Sequence, residues 1–354
     1  MHQQRKSDHI RINLEEDVGF KRVSTGFERY RLTHQALPGF DLGTIETSSE
    51  LFGKRLEAPL IVSAMTGGTP EAALINGRLA EAVQAAGIGM GVGSQRAAIE
   101  DVSLSETYQV RHLAPEILLL ANLGAVQLNY GFGLDQCRQA VEMIEADALV
   151  LHLNPLQEAL QPEGNTRFRS LLPKIEVICR ELEVPVIVKE VGWGISERVA
   201  RQLAGAGVAA IDVAGAGGSS WSQVEMYRSS TEQQRRVAAA FADWGIPTAE
   251  SLRIARRGAP GVPVLASGGV RNGIQIAKAI ALGAVACGIA APFLESASKS
   301  TSAVLDQIRV LVEQLRIAMF AAGARDIPAL RRAPILLQSE AGGRGESEHD
   351  GPQG

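Results

Sequence analysis

The feature that most constrains the fold is a series of short apolar segments, each followed by a stretch with helical periodicity. Eight such segments recur between residues 59 and 289. They are apolar throughout rather than alternating, which is typical of parallel strands buried on both faces. The predicted strands are Pro59–Ala64, Gly87–Gly93, Ile117–Asn122, Ala148–Leu153, Pro185–Glu190, Ala209–Val213, Val262–Ser267 and Ala284–Ile289.

The first connector shows why helices are expected between these strands. Thr69 is suited to the N-cap position and Pro70 to the first helical residue. Ile75, Leu79 and Val83 then fall on one helical face. Strands and helices that alternate in this way indicate right-handed βαβ units and a parallel sheet. Eight units favour an α/β fold with a closed (β/α)8 TIM barrel over the alternative, an open doubly wound sheet.

The chain is predicted to form a single barrel domain, because no internal linker rich in proline or serine divides it. Residues 1–50 are a polar N-terminal extension that we expect to pack on the barrel, which spans residues 51–336. Residues 300–323 are predicted to form a final helix. Residues 337–354 are predicted to be a disordered tail, since the segment from Ser339 is polar and rich in glycine. The connector between the sixth and seventh strands is the longest, which makes it a candidate lid or substrate-binding loop.

Composition argues against several classes of function. The chain has 35 Lys and Arg against 39 Asp and Glu, a net charge of −4, so it lacks the electrostatic footprint of nucleic-acid binding. No apolar segment reaches the length of a membrane span, and no apolar signal segment is visible, so a cytoplasmic protein without a membrane partner is expected. Cys137, Cys179 and Cys287 have no metal-ligand spacing and are expected to be buried thiols.

Glycine-rich segments follow the last three predicted strands, at the end of a barrel where active sites lie. The segments Ser267–Gly269 and Gly288–Ala291 follow the seventh and eighth strands. Their backbone N–H groups are suited to hold a phosphate, although two ordinary glycine turns are the alternative. Gly217–Ser219, after the sixth strand, offers further donors and a hydroxyl.

Lys189 ends the apolar fifth strand, and a lysine in a barrel mouth needs an anionic partner or a shifted pKa. One interpretation is a pair with Glu190, although adjacent strand residues point to opposite faces. The other is a flavin, because a cation beside the N1/C2 edge of its ring stabilises the reduced anion. Thr66, Ser94 and Asn122 are candidates for neutral hydrogen bonds to the same ring.

A second set of residues suits a diphosphate. Arg5, Lys6 and Arg96 are cations, and each charge-assisted bond to a phosphate would contribute about 1.5–3 kcal/mol. For Arg5 and Lys6 the alternative is a solvated N-terminal tail. Glu158 stands alone in a neutral segment and suits Mg2+, which takes few protein ligands and fills its shell with water and substrate oxygens. His152 is a candidate either to bind substrate or to fill a core position.

These motifs, in this order, resemble the type 2 isopentenyl-diphosphate isomerases over nearly the whole chain, as far as about Leu336. The matching segments are Arg5-Lys6 with His9, AMTGG at Ala64–Gly68, GSQR at Gly93–Arg96, HLNPLQE at His152–Glu158, KEVGWG at Lys189–Gly194, GAGGSSW at Gly215–Trp221 and SGGVR at Ser267–Arg271. One departure is Ser219, where the family more often has Thr, although the hydroxyl is retained.

The resemblance implies an FMN- and Mg2+-dependent enzyme of isoprenoid biosynthesis that interconverts isopentenyl and dimethylallyl diphosphate. It also implies that NAD(P)H, here taken as NADPH, reduces the flavin although the reaction has no net redox change, and that the protein is a homo-oligomer, a tetramer or an octamer. By position, the implied FMN contacts are Ala64, Met65, Thr66, Ser94, Asn122, Lys189, Ser219, Ser267, Gly268, Gly269, Val270, Ala290 and Ala291. The implied substrate contacts are Arg5, Lys6, Ser94, Gln95, Arg96 and Gln157, with Glu158 holding the metal.

Moving the double bond requires protonation of an unactivated alkene carbon and removal of an allylic proton. Both steps suit a reduced flavin, which exchanges a proton at N5, and Gln157 is the side chain expected to position the alkene. The alternatives are another FMN-dependent barrel oxidoreductase, such as a 2-hydroxy-acid oxidase, and a non-catalytic flavin-binding scaffold. The segment after the sixth strand lacks the His and Arg that such an oxidase needs, and a scaffold would not need Gln157 or Glu158.

Overall fold

The computed structural model describes residues 2–338 of the chain, with side chains from Arg5 onward, so the predicted tail from Ser339 lies outside the described residues. Its strands are β1 (Tyr30–Leu32), β2 (Ser49–Leu51), β3 (Lys54–Leu56), β4 (Leu60–Val62), β5 (Gly89–Gly91), β6 (Leu119–Gly124), β7 (Ala148–Leu153), β8 (Val186–Glu190), β9 (Ala210–Asp212), β10 (Val264–Ser267), β11 (Cys287–Ile289) and β12 (Ile335–Leu337). Strands β4 to β11 are parallel and form a closed barrel, in which β11 pairs with β4. The predicted (β/α)8 barrel is confirmed.

Helices connect the barrel strands and surround them. They are α1 (His2–Glu15), α2 (Pro70–Ala86), α3 (Arg96–Glu100), α4 (Leu134–Ile144), α5 (Pro155–Leu160), α6 (Leu171–Glu181), α7 (Glu197–Gly205), α8 (Trp221–Arg228), α9 (Glu232–Ala239), α10 (Thr248–Gly258), α11 (Gly273–Ala281), α12 (Ala291–Lys299), α13 (Thr301–Ala321) and α14 (Ile327–Arg332). Within residues 2–338, no helix has both the length and the apolar character that crossing a membrane requires.

The local signals for α2 act as predicted. The Thr69 side chain accepts a hydrogen bond from the N–H of Ala72 at 3.1 Å, and Pro70 is the first helical residue. The helix ends at Gly87, which has a left-handed φ of 64° that glycine adopts without strain. Because Gly87 caps the helix, β5 begins only at Gly89, two residues later than predicted.

Two further boundaries differ from the prediction at the C-terminal end. The predicted final helix corresponds to α13, but the shorter helix α14 follows it. Strand β12 then pairs antiparallel with β1, with Leu337 opposite Tyr30. Leu337 therefore belongs to the folded structure rather than to a tail, because its backbone completes a two-stranded sheet with the N-terminal extension.

The barrel interior is filled with apolar side chains and is closed at one end by the hairpin of β2 and β3. Leu51 and Leu56 of the hairpin pack with inward-facing residues such as Ile187. Lys54 Nζ lies 3.1 Å from a carboxylate oxygen of Asp147, which directly precedes β7. The hairpin therefore covers the end where the strands begin, and the opposite end, where they finish, carries the functional side chains.

The N-terminal extension packs over the end of the barrel where the strands finish. Ile10 and Ile12 of α1 are buried, which excludes a solvated tail. Beyond α1 the chain runs along the loop that follows β9, where the N–H of Ser220 donates to the Val18 carbonyl at 2.8 Å. The extension therefore fixes one wall of the cleft described below.

The three cysteines are free: Cys137 and Cys287 are buried, as predicted, and Cys179 is half-buried.

Candidate active site

One cleft opens at the carboxyl ends of the barrel strands. It consists of two adjoining cavities of about 170 and 130 Å3. The larger, which we call the glycine-lined cavity, lies between the loops after β9, β10 and β11. The smaller, which we call the charged cavity, lies between α1, α3 and α5. Lys6, His9, Met65, Lys189 and Trp221 line both, so the two cavities form one site.

Backbone packing shapes the glycine-lined cavity. Gly268 and Gly269 have left-handed φ angles of +99° and +74°. A Cβ atom on Gly269 would lie 2.5 Å from the Gly217 carbonyl oxygen, and one on Gly218 would lie 2.5 Å from the Gly269 nitrogen. Only glycine lets these two loops meet. Loops of this kind after the last strands of a (β/α)8 barrel are the usual phosphate site of the fold.

The hydroxyl of Thr66 indicates that the glycine-lined cavity is built for a polar ligand. Thr66 is 3% exposed, and among the described residues its Oγ1 has no hydrogen-bond partner. An unsatisfied buried hydroxyl costs about 1–3 kcal/mol, which a ligand atom at this position would recover. With the glycine loops for a phosphate and Thr66 and Lys189 near the cavity floor, the residues present fit a flavin mononucleotide.

Lys189 and Glu190 do not pair through their side chains. The Glu190 carboxylate accepts hydrogen bonds of 2.6–2.7 Å from the backbone N–H groups of Val191, Gly192 and Trp193. Burial raises the pKa of Glu190 to about 7. Lys189 Nζ donates instead to the Glu190 carbonyl oxygen at 2.6 Å and lines the cleft. The adjacent residues point to opposite faces of the strand, as expected for β structure.

Most of the expected flavin contacts line the glycine-lined cavity, and two do not. The residues on its wall are Ala64, Met65, Thr66, Lys189, Ser219, Ser267, Gly268, Gly269, Val270, Ala290 and Ala291. Ser94 and Asn122 line the charged cavity instead. Arg271 also borders the glycine-lined cavity and was not among the expected contacts.

Three cations expected at a diphosphate line the charged cavity: Arg5, Lys6 and Arg96. Arg5 Nη1 donates to the side chain of Gln161 at 3.2 Å, and Arg96 Nε donates to Glu100 at 2.7 Å. Burial, followed by the charge of Arg5, lowers the pKa of Lys6 to about 8. An anion in this cavity would therefore meet three cations whose mutual repulsion it relieves.

Glu158 lies at the first turn of α5, where Pro155 is the first helical residue. Its carboxylate is 7% exposed and accepts hydrogen bonds from Asn154 Nδ2 at 3.0 Å and from the backbone N–H of Asn165. Among residues 2–338 no three His, Cys, Asp or Glu side chains form a metal-binding group. A metal at Glu158 would therefore have one carboxylate ligand and free positions for water and substrate, as suits Mg2+.

Neutral side chains complete the charged cavity. His152 Nδ1 lies 2.9 Å from Asn122 Oδ1, and burial, followed by the charges of Lys189, Lys6 and Arg5, lowers the pKa of His152 to about 3. His152 is therefore uncharged at neutral pH. Asn154 Oδ1 is buried, and no described residue donates to it.

Gln95 is the expected substrate contact that the structure does not bring into the cleft. The side chain is fully buried, its Nε2 donates to the Ala140 carbonyl at 2.8 Å, and its Oε1 accepts from the Asn122 N–H at 2.9 Å. Both ends of the amide are thus engaged within the protein, and Gln95 does not line the charged cavity. The expectation of a substrate contact is corrected to a positioning role for the loop after β5.

Glu225 was not predicted from the sequence, yet it joins three elements of the site. It lies on α8, in the long connector after β9, and is 2% exposed. Its Oε1 lies 3.3 Å from both His9 Nε2 and Gln157 Nε2, and Arg228 pairs with its other oxygen. Burial opposes ionisation, but His9 and Arg228 outweigh it and lower the pKa of Glu225. The only sequence feature that could have indicated Glu225 is that it is the first acidic residue of this connector. Its partners His9 and Gln157 are 216 and 68 residues away in the chain.

Comparison with known proteins agrees with this geometry. The family model for FMN-dependent dehydrogenases matches residues 2–116 and 141–337. The chain is 56% identical over 331 residues to an isopentenyl-diphosphate delta-isomerase of Synechocystis sp., covering 94% of this chain and 95% of the relative. It is 52% identical over 334 residues to the enzyme of that name from Nostoc sp., covering 94% and 95%. For the one from Pseudescherichia vulneris, identity is 53% over 333 residues, covering 94% and 96%.

Solved structures share the fold at much lower identity. The crystal structure of mandelate oxidase has a TM-score of 0.64 and 19% identity, covering 94% of each chain. Its complex with 3,3-difluoro-2-hydroxy-3-phenylpropionic acid has the same score and identity, covering 94% of this chain and 95% of that one. This likeness shows the barrel fold alone. The sequence relationship, which extends over nearly the whole chain, is decisive: the chain belongs to the FMN-dependent isopentenyl-diphosphate delta-isomerase family.

Proposed function

We propose that this protein interconverts isopentenyl diphosphate and dimethylallyl diphosphate with reduced FMN, as a step of isoprenoid biosynthesis. The observation that carries the proposal is that a cavity suited to a flavin and a cavity suited to a diphosphate adjoin in one cleft. A flavin ring at the junction would lie next to the hydrocarbon end of a diphosphate held in the charged cavity. The 52–56% identity with isopentenyl-diphosphate delta-isomerases supports the same substrate pair.

The residues that would hold FMN divide into two groups. Ser267–Val270, Ser219 and Ala290–Ala291 would bind the phosphate, and Thr66 and Lys189 would contact the ring. When bound, reduced FMN supplies a nitrogen, N5, that exchanges a proton with substrate. The protein's part is to hold the ring, exclude water from the junction and fix the diphosphate.

Arg5, Lys6 and Arg96 would bind the diphosphate, each charge-assisted hydrogen bond contributing about 1.5–3 kcal/mol. Glu158 would hold Mg2+ between the protein and the diphosphate oxygens. Ser94 and the neutral imidazole of His152 line the same cavity and would donate or accept hydrogen bonds without adding charge.

Gln157 is the side chain we assign to positioning the alkene. Its amide is held at both ends, since Nε2 lies 3.3 Å from Glu225 Oε1 and Oε1 accepts from Asn154 Nδ2 at 3.1 Å. A side chain fixed in this way keeps its geometry through repeated turnovers, as catalytic positioning requires.

A 2-hydroxy-acid oxidase is the closest alternative, because mandelate oxidase shares the fold. The loop after β9 is built of small and neutral residues as far as Trp221 and supplies neither a His base nor an Arg clamp for a carboxylate. A non-catalytic flavin scaffold is also disfavoured, since Glu158, Gln157 and Glu225 form a buried network beside the flavin cavity that flavin binding does not require.

Three further parts of the proposal rest on the family resemblance. NADPH would reduce the flavin, Mg2+ would be the metal, and the chain would form a tetramer or an octamer. Glu158, as a lone carboxylate in the charged cavity, supports the metal assignment.

The proposal is tested by anaerobic conversion of isopentenyl diphosphate to dimethylallyl diphosphate with FMN, NADPH and Mg2+, each omitted in turn. We expect turnover in the complete mixture and its loss when FMN, the reductant or Mg2+ is left out. Protein that takes up FMN and is reduced, yet forms no product from either diphosphate, would overturn the proposal and favour an oxidoreductase.

A further inference from the structure

Lys189 and Asp212 occupy equivalent positions on neighbouring barrel strands. The register of β8 and β9 places them side by side, two residues beyond the pair Ile187 and Ala210. Ile187 and Ala210 belong to the apolar cluster inside the barrel. Because side chains alternate along a strand, Lys189 and Asp212 also point into the barrel, toward the floor of the cleft.

Both side chains border one small cavity. Its volume is about 20 Å3, and Lys189, Asp212 and Ser63 are the polar residues on its wall. A cavity of this size has room for about one water molecule, which needs two to four polar partners. Lys189 and Asp212 thus border the same small polar space, and the charge of Lys189 favours the ionised form of Asp212.

The remaining contacts of Asp212 favour its ionised form. Its Oδ1 accepts hydrogen bonds from Ser267 Oγ at 2.6 Å and from the Ala214 N–H at 3.3 Å. Asp212 is 6% exposed, and burial raises its pKa above the ordinary value; the charge of Lys189 and the two donors reduce that rise without cancelling it. The other titratable groups nearby are Cys287, beside Asp212, and His152 and Glu190, beside Lys189. None brings a positive charge: burial keeps Cys287 and His152 neutral, and the Glu190 carboxylate is bound to three backbone N–H groups.

We propose that Asp212 is the counter-charge that holds the Lys189 ammonium at the cleft floor and thereby sets the reduction potential of the bound flavin. The inference rests on the proposed placement of FMN beside Lys189. An ammonium partly neutralised by a carboxylate behind it stabilises a reduced, anionic flavin less than a free ammonium does. Lys189 thus keeps the flavin reducible, and Asp212 limits how far the reduced form is stabilised. Through Ser267 the same carboxylate is tied to the phosphate loop.

The experiment measures the flavin midpoint potential of the FMN-loaded wild type, Asp212→Asn, Lys189→Met and the double variant. We expect Asp212→Asn to raise the potential by about 30 mV, which is tenfold in a two-electron equilibrium constant. Lys189→Met should lower it. In the Lys189→Met background, Asp212→Asn should produce less than about half of its wild-type shift, because the two residues act as a coupled pair.

Ser267→Ala is the matched control, since it removes the hydrogen bond to Asp212 without removing charge. It should weaken FMN binding and raise the potential by less than Asp212→Asn does, because the carboxylate remains but loses one donor that favours its ionised form. For variants that bind FMN poorly, the same double-mutant cycle can be measured through the thermal stability of the apo-proteins. Asp212→Asn should lower the melting temperature when Lys189 is present and lower it less in the Lys189→Met background.

Two results would overturn the inference. One is an unchanged potential in FMN-loaded Asp212→Asn, and the other is an equal shift with and without Lys189. Failure of the proposed function is distinguishable, because it appears as wild-type protein that carries FMN but does not interconvert the two diphosphates, whatever its potential.

Discussion

The two halves of the cleft are built in different ways. The glycine-lined cavity is shaped by backbone, in loops where Gly217, Gly218 and Gly269 meet so closely that an added Cβ would collide with main-chain atoms. The charged cavity is shaped by side chains from separate parts of the chain, where Glu225 joins Gln157 to His9 across 68 and 216 residues. One half depends on shape and the other on charge and hydrogen bonding.

The two halves should therefore respond differently to substitutions. In the glycine-lined half, damage should come from added volume and should appear as lost cofactor. In the charged half, damage should come from changes in charge or hydrogen bonding and should appear as lost turnover with the cofactor retained. Substitutions in each half test this distinction between lost cofactor and lost turnover.

Glu158→Gln should produce the largest loss, in the charged half. We expect turnover to fall by about a thousandfold, roughly 4 kcal/mol of transition-state stabilisation, because the substitution removes the carboxylate that would hold the metal. Steady-state kinetics across a Mg2+ titration measures the effect, and the flavin spectrum should show wild-type FMN content. Glu295→Gln, a surface carboxylate paired with Lys299, serves as the control and should be fully active. Loss of FMN together with activity would contradict the division.

Gly269→Ala should produce the largest effect in the glycine-lined half. Its φ is +74° and the new Cβ would lie 2.5 Å from the Gly217 carbonyl oxygen, so the phosphate loop must move. We expect FMN affinity to fall by about a hundredfold, of the order of the 1–3 kcal/mol associated with such strain. Fluorescence titration of the apo-protein with FMN provides the measurement.

Gly261→Ala is the matched control, because φ at Gly261 is +85° but nothing lies within 4 Å of the added Cβ. It should lower the thermal stability through backbone strain alone and leave FMN affinity unchanged. Equal losses of FMN affinity in the two variants would show that the close approach of the loops is irrelevant to cofactor binding.

Glu225→Gln should act on turnover through Gln157. The substitution keeps the shape but removes the charge that pairs with Arg228 and faces His9. We expect kcat to fall by about thirtyfold, roughly 2 kcal/mol, within the range for a charged hydrogen bond. The value of KM should change less, because we assign Gln157 to positioning the alkene rather than the diphosphate. A variant with wild-type kcat would show that Glu225 does not act on turnover.

Lys6 should give the enzyme a pH dependence. Its pKa is lowered to about 8, so the ammonium is present below that pH and is lost above it. The value of kcat/KM, which reports the free enzyme, should therefore fall above pH 8 by about tenfold per unit. Lys6→Arg keeps its charge and should extend the plateau to higher pH. If kcat/KM falls in the same way above pH 8 in the wild type and in Lys6→Arg, another group causes the pH dependence.

Thr66→Val should give the smallest effect, with opposite signs in the two forms of the protein. The apo-protein should be as stable as wild type or more stable, because a buried hydroxyl without a protein partner is removed. FMN affinity should fall by about fivefold, roughly 1 kcal/mol, because the ring loses one neutral hydrogen bond. Calorimetry of the apo-protein and FMN titration check the two signs, and destabilised apo-protein would mean that the hydroxyl already has a partner.

The comparison also shows how much of the molecule could be predicted from sequence. The barrel could be predicted, because its strands are apolar segments and because local residues mark the ends of α2, with Thr69 as its N-cap and Gly87 as its C-cap. The close approach of the loops after β9 and β10 could also be predicted, because glycine marks the positions where backbone must approach backbone. The predicted ends of the strands were less exact, because apolar residues such as Pro59 extend beyond the residues that pair in the barrel.

The charged half was only partly predictable. Arg5, Lys6 and Glu158 stood out as charges, and the N-terminal extension was expected to pack on the barrel, but no local pattern indicated which of its residues would be buried. Gln95 looked equivalent to its neighbours Ser94 and Arg96, and only the packed structure shows its amide engaged by Ala140 and Asn122. Glu225 and Asp212 act through partners that are remote in sequence or across a strand pair, which a local pattern does not encode.

The central claim is that both halves form one isomerase site in which the flavin returns to its starting state after each turnover. The most direct test is the number of dimethylallyl diphosphate molecules formed per NADPH consumed, measured anaerobically with the FMN-loaded protein. We expect many product molecules for each NADPH, since reductant is needed only to prepare the flavin. One NADPH consumed per product molecule, or NADPH oxidation without any dimethylallyl diphosphate, would contradict it.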